Sequence, residues 1–163
     1  MSALENSPRI TPFLWFDSNA EEAVDLYLSV FKNSRRLDEM RMPEKLEPPS
    51  GAPVSKAKVL TIAFELEGLR FTALNGGPMF KFNESVSFLV RCDSQEEIDY
   101  YWSKLTADGG TESQCGWLKD KFGLSWQIVP GRIAELLSHP KAMQTMMGMK
   151  KLNIAELEQA AKS

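Results

Sequence analysis

Residues 10–31, ITPFLWFDSNAEEAVDLYLSVF, and residues 85–105, SVSFLVRCDSQEEIDYYWSKL, are two versions of one plan. Sliding the chain by 74 residues superposes them without a gap: Glu22 on Glu96, Val24 on Ile98, Asp25 on Asp99, Tyr27 on Tyr101 and Ser29 on Ser103. Each copy opens with the alternation of a strand, turns at a short polar stretch and continues at the 3.6-residue spacing of one helix face. Both helices are predicted to start alike, with Asn19 three residues before Glu22 and Asp93 three before Glu96. There a side-chain oxygen accepts from the open first-turn N–H groups while the Glu bonds back. A strand-plus-helix plan used twice constrains the fold strongly, because each copy must bury the same stripe against a sheet.

The chain's 163 residues suit one domain with a real core, and 43% hydrophobic with 25% charged residues is ordinary for a globular protein. A net charge of −3 gives no electrostatic case for nucleic acid or an anionic membrane surface. No apolar run reaches the roughly 20 residues of a membrane span. The opening MSALENSPRI is not a basic and apolar leader, and Cys92 and Cys115 are too few for a disulfide framework or a zinc site. The expectation is a cytoplasmic protein with reduced thiols.

In the first copy, Ile10, Pro12, Leu14 and Phe16 are expected against the helix, and Thr11, Phe13 and Trp15 on the other face. The helix stripe is Ala20, Ala23, Val24, Tyr27 and Phe31, and residues 35–42 read as a second strand. Residues 43–55, PEKLEPPSGAPVS, read as a loop, a plain connector or a flap. Residues 58–66 and 70–74 are strands joined at Glu67-Gly68, closed by the turn Asn75-Gly76-Gly77-Pro78. In the second copy Ile98, Tyr101, Trp102 and Leu105 form the stripe, Gly109-Gly110 stops it, and residues 112–120 and 124–129 are strands. Residues 132–137, 141–149 and 154–161 read as helices, the last capped by Asn153 with Glu156. Their methionines, Met143, Met146, Met147 and Met149, predict a tail packed on the body or on a second subunit. The expected architecture is α+β, a single domain over 1–163: βαβββ units at 8–78 and 83–130, then a helical tail at 131–163.

FLWFDSNAEEAVDLYLSVF, FTALNGGPMFKFNESVSFLVRCDS, CGWLKDKFGLSWQIVP and the tail MKKLNIAELEQA resemble the vicinal oxygen chelate superfamily, and within it the PhnB-like branch. That superfamily includes glyoxalase I, extradiol dioxygenases and bleomycin-binding resistance proteins. The resemblance implies the glyoxalase/bleomycin-resistance fold, with sheets curled around a cavity, usually in a homodimer. Some members of the branch are labelled 3-demethylubiquinone-9 3-methyltransferase. No strand here is followed by the Gly-rich turn of a nucleoside cofactor site, so the residues add nothing to that label.

The resemblance places the family's metal ligands on the first and last strands of each unit. Carried over, these positions are Thr11, Thr72, Ser85 and Gln127, with Thr72 and Gln127 matched through the hairpin glycines Gly68 and Gly123. Hydroxyls and one amide are a poor set for a divalent transition metal. The chain has one histidine, His139, which reads as a surface residue at a helix start, so one protomer lacks the two His of a non-haem iron site. Cys115 has no neighbouring histidine to make it a nucleophile. Asp25 and Asp99 read as solvated helix charges, and Glu65 and Glu67 as one solvated strand face.

What remains is a polar-floored, aromatic-walled cavity of Thr11, Phe13, Trp15, Thr72, Ser85, Trp117 and Gln127, with Trp126 turned into the core. The expected function is binding a small organic molecule with no metal and no cofactor. The alternatives are a metal-independent lyase, isomerase or transferase, and a glyoxalase-like metalloenzyme with a non-standard site.

Overall fold

The structure is a computed structural model and describes residues 4–43 and 58–163. Apart from Pro43, the expected loop at residues 43–55 lies outside the described residues. The chain divides into two compact units, Met1–Lys81 and Phe82–Ser163.

The first unit runs β1 (Phe13–Phe16), α1 (Ala20–Val30), β2 (Ser34–Arg41), β3 (Val59–Leu66) and β4 (Leu69–Asn75). Its sheet has the order β1-β4-β3-β2, with β1 parallel to β4 and the other pairs antiparallel. The expected stripe holds: Ala20, Ala23, Val24 and Tyr27 are fully buried, with Phe31 at the helix end. They meet Leu14, Phe16, Ile62, Phe64, Phe71 and Ala73, which alternation puts on one sheet face. Phe64 stacks between Tyr27 (centroids 6.2 Å) and Phe71 (5.3 Å). Burying one such ring contributes about 2–3 kcal/mol.

Three expectations for this unit are corrected. Ile10 is 91% exposed, and the strand begins at Phe13. Pro12 has no N–H to donate, so the ladder starts beyond it, with only its carbonyl accepting from Thr72 N (3.0 Å). Asn19 makes no side-chain cap; Asn75 Oδ1, at the far end of β4, accepts from Ala20 N instead (2.9 Å). Glu67 and Gly68 sit at φ 49° and 82°, a type I′ hairpin turn, so Glu67 is a turn residue and shares no strand face with Glu65. The edge strand β2 carries Arg35, Arg36, Asp38, Glu39 and Arg41, charges that discourage pairing with another chain.

The second unit repeats the order with β5 (Ser87–Cys92), α2 (Gln95–Thr106), a 3-10 turn (Ala107–Gly109), β6 (Thr111–Glu112), β7 (Trp117–Lys119) and β8 (Ser125–Pro130). The sheet order is β5-β8-β7-β6, again with the first and last strands parallel. Phe13 and Ser87 keep the 74-residue offset, and Val24 and Ile98 are both fully buried. The helix cap lies one residue later than expected. Ser94 Oγ accepts from Glu97 N (3.2 Å), and Glu97 Oε2 accepts from Asp93 N (2.7 Å). The strand expected over residues 112–120 is broken into β6 and β7. Cys115 and Gly116 between them hold φ 60° and 83°, and a Cβ at Gly116 would meet Ile128 O at 2.9 Å.

The tail forms α3 (Ile133–Leu137), α4 (Pro140–Met147) and α5 (Ile154–Ala161), the last capped by Asn153 as expected. It belongs to the second unit. Leu136, Leu152 and Leu157 close over Val129, flanked by Met146 and Met149, while Met143 and Met147 stay exposed. Gln95 on α2 clamps the chain before α5, donating to Leu152 O (3.0 Å) and accepting from Ile154 N (2.8 Å). Among the described residues, no helix is long and apolar enough to cross a membrane.

Candidate functional site

Each sheet has one face covered by its helix and one turned away from it, and alternation assigns side chains to each. On the second sheet, Leu89, Gln127 and Trp117 stand in one cross-strand row on the face turned away from α2, which is helix-free up to its Val129 end, where the tail packs. One pleat below lies the row Ser87, Ser125 and Lys119. Gln127 Nε2 donates to Ser87 Oγ (2.9 Å), and among the described residues its carbonyl oxygen takes no partner. Trp126 faces the other way. It is 3% exposed, and its Nε1 donates to Asp120 Oδ2 (2.9 Å). The expected facing of β8 is therefore the observed one.

The first sheet has two matching rows: Phe13, Thr72 and Ala63, then Trp15, Leu74 and Thr61. Phe13 is 60% exposed. Trp15 lies on the Asn75-Gly76-Gly77 turn, where a Cβ at Gly76 would clash with its ring. Its Nε1 donates to Gly77 O (2.9 Å), and Phe80 meets it edge-on at 4.9 Å. Its ring can wall a site, while its N–H is already committed.

Thr11 and Ser85 differ from expectation. Both lie two residues before their strands, and Ser85 is exposed with its hydroxyl donated to Asn83 Oδ1. The equivalence of Thr72 with Gln127 also shifts by one pleat pair. Counted from Phe13 and Ser87, Thr72 corresponds to Ser125, and Gln127 to Leu74. The cause is turn length. Glu67-Gly68 is a two-residue turn, whereas residues 120–124 separate Lys119 from Ser125, so matching Gly68 to Gly123 slips the register. Ser87, Leu89, Lys119 and Ser125 were absent from the sequence-derived set, and only the strand register brings them together.

The donors at the carried-over positions do not fit a transition metal. Three are hydroxyls, two of them outside the strands, and the fourth is the Gln127 amide, already bonded to Ser87. Among the described residues no group of three or more His, Cys, Asp and Glu side chains could hold a metal ion. His139 is exposed at the start of α4, in a cleft of about 360 Å³ with Arg132, Glu135 and Glu158. Arg132 spans both carboxylates there, at 2.8 Å to Glu135 and 3.2 Å to Glu158.

A family described as 3-demethylubiquinone-9 3-methyltransferase matches residues 8–129. Among solved structures, the PhnB protein of Bacillus cereus, provisionally given the same methyltransferase name, is 31% identical with a TM-score of 0.64, over 76% of this chain and 99% of that one. A protein of Pseudomonas aeruginosa is 20% identical with a TM-score of 0.59, over 76% of this chain and 98% of that one. The fosfomycin resistance protein FosX of Listeria monocytogenes, solved with Mn(II) and sulfate, is 16% identical with a TM-score of 0.52, over 80% and 98% of the two chains. The last two likenesses are of fold alone. No curated protein matches the chain. The tail helices, including MKKLNIAELEQA, lie outside the matched residues. The chain belongs to the PhnB-like family described as 3-demethylubiquinone-9 3-methyltransferase, a branch of the vicinal oxygen chelate superfamily with the glyoxalase/bleomycin-resistance fold.

Proposed function

We propose that this protein binds a small organic molecule on the face of its second sheet turned away from α2, without a transition metal and without a nucleoside cofactor. The observation that carries the reading is the row Leu89, Gln127 and Trp117, in which a half-buried amide with an open carbonyl stands between an aliphatic and an aromatic side chain. Such a row offers apolar contact on both sides and one orienting polar group, the usual composition of a small-molecule site. The first unit carries groups of the same kind on its own sheet, Thr72, Phe13 and Trp15, with Thr11 just before them. Ser85 donates its hydroxyl to Asn83.

The methyltransferase description of the family names a reaction that needs a methyl donor. Here the turns after β1 and β5 are Asp17-Ser18-Asn19 and Asp93-Ser94, with no glycine to let backbone approach a nucleoside. Two free cysteines and the exposed apolar side chains Phe13, Met79, Phe80, Val86 and Leu89 support a cytoplasmic homodimer.

Native mass spectrometry of dialysed protein tests both parts. A retained organic adduct with no metal mass is the expected spectrum, and about one Zn, Mn, Ni or Fe per chain would overturn the metal-free reading. Gln127→Leu is expected to fold normally and to weaken adduct binding by about 1–3 kcal/mol, whereas Trp126→Ala is expected to lose about 3–5 kcal/mol of stability. The opposite pattern in ligand titration and urea curves would place the wrong face of β8 in the site.

A further inference from the structure

Beside the Leu89-Gln127-Trp117 row, the helix-free face of the second unit carries a cavity of about 210 Å³. Trp117, Ser125, Thr111, Ser113, Lys119 and Glu84 line it, between β6, β7 and the start of β8. We infer that this cavity is a subsite for a small uncharged ring bearing one hydroxyl or carbonyl group, an inference that rests on the binding function proposed above.

Three observations converge on that class. First, Ser125 is fully buried, and its hydroxyl finds no hydrogen-bond partner among the described residues. It stands opposite Lys119 and two residues before Gln127, so its side chain belongs to the face that carries the cavity. Buried polar side chains are nearly always satisfied, and an exception calls for a water or a ligand to complete it. A hydroxyl can donate to a carbonyl or accept from an alcohol, and it distinguishes both from a hydrocarbon.

Second, the charges around the cavity are already matched. Lys119 bonds Glu84, and that contact holds the Glu84 carboxyl below its usual range. Glu112 accepts from Trp102 Nε1 (2.7 Å) and lies 3.9 Å from Lys150. An anionic ligand would have to displace Glu84 from Lys119, and a cationic one would have to displace Lys119 from Glu84. A neutral ligand disturbs neither pair.

Third, the size is that of one ring. The cavity of about 210 Å³ equals roughly seven waters at about 30 Å³ each, below the volume usual for drug-sized ligands. Trp117 supplies a half-buried indole for the ring to lie against.

The test titrates the full chain with benzyl alcohol, benzoate, benzylamine and toluene, followed by amide and indole NMR shifts. Benzyl alcohol is expected to shift Trp117 and Ser125 and to bind about fivefold or more tightly than the other three. Ser125→Ala is expected to weaken benzyl alcohol by about five- to tenfold, with a Tm at or above that of the native chain because no protein hydrogen bond is lost. Trp117→Ala is the second variant and is expected to weaken all four probes. Benzoate or benzylamine binding as tightly as benzyl alcohol on the native chain would overturn the inference, as would unchanged affinity in Ser125→Ala. Shifts confined to Leu89 and Gln127 would also overturn it while leaving the binding function standing. No shift on either helix-free face with any probe would sink both.

Discussion

Asp120 shows how much one side chain can hold in this fold. It is 2% exposed, and its Oδ1 accepts from Phe122 N (2.9 Å) and Leu124 N (3.1 Å) while Oδ2 accepts from Trp126 Nε1. Those bonds shape the turn into β8 and fix which face carries Gln127. Asp120→Ala leaves these buried donors without that acceptor and is expected to cost about 3–5 kcal/mol in urea denaturation. A loss under about 1 kcal/mol would show that the turn holds without the carboxylate. The cysteines differ for a related reason. Burial, then the nearby Glu97 and Asp93 charges, pushes the Cys92 thiol up to about 12, which keeps it in the unreactive thiol form. A disulfide reagent is expected to titrate half-buried Cys115 in the folded protein and Cys92 only after denaturant; fast reaction of both thiols would contradict this burial.

The helix starts carry the lesson at the scale of elements. Two helices with matching stripes begin in different ways, α2 with local acceptors, Ser94 Oγ for Glu97 N and Glu97 Oε2 for Asp93 N, and α1 with an acceptor supplied from β4. Asn75 also donates to Val59 O (3.0 Å) and Glu21 Oε2 (3.3 Å), so it ties α1, β3 and β4 together. Asn75→Ala is expected to destabilise by about 1–3 kcal/mol in thermal melts, and Asn19→Ala by no more than about 0.5 kcal/mol. Equal losses would restore Asn19 as the working cap. The same scale governs the site. Three extra residues in the β7–β8 turn, against the two-residue Glu67-Gly68 turn, move Gln127 from the level of Thr72 to that of Leu74.

At the scale of the molecule, the tail is part of the second unit's core. Leu152 is fully buried in the cluster of Val129, Leu136 and Leu157, and Met149 O and Lys150 O accept from Cys115 N and Gly116 N, both at 2.8 Å. Those bonds brace the tight turn between β6 and β7, which ends at Trp117 on the candidate face. Leu152→Ala is expected to cost about 3–5 kcal/mol and to loosen that turn, read as faster amide exchange at Cys115 and Gly116. Native exchange rates in the variant would make the tail an appendage.

The sequence by itself determined the elements that depend on local pattern. The 74-residue repeat, both helix stripes, the hairpin at Glu67-Gly68, the Asn153 cap and the facing of Trp126 against Gln127 follow from periodicity and turn chemistry, which act between residues a few positions apart. Tertiary structure alone decided that Asn75 caps α1, that the region before Trp117 breaks at Cys115-Gly116, and that the tail closes over Val129. It alone set Ser125 beside Lys119. Each of these joins residues distant along the chain, or depends on how many residues a turn consumes. Strand register sums every turn length before it, and a side chain's face reverses with each single-residue slip.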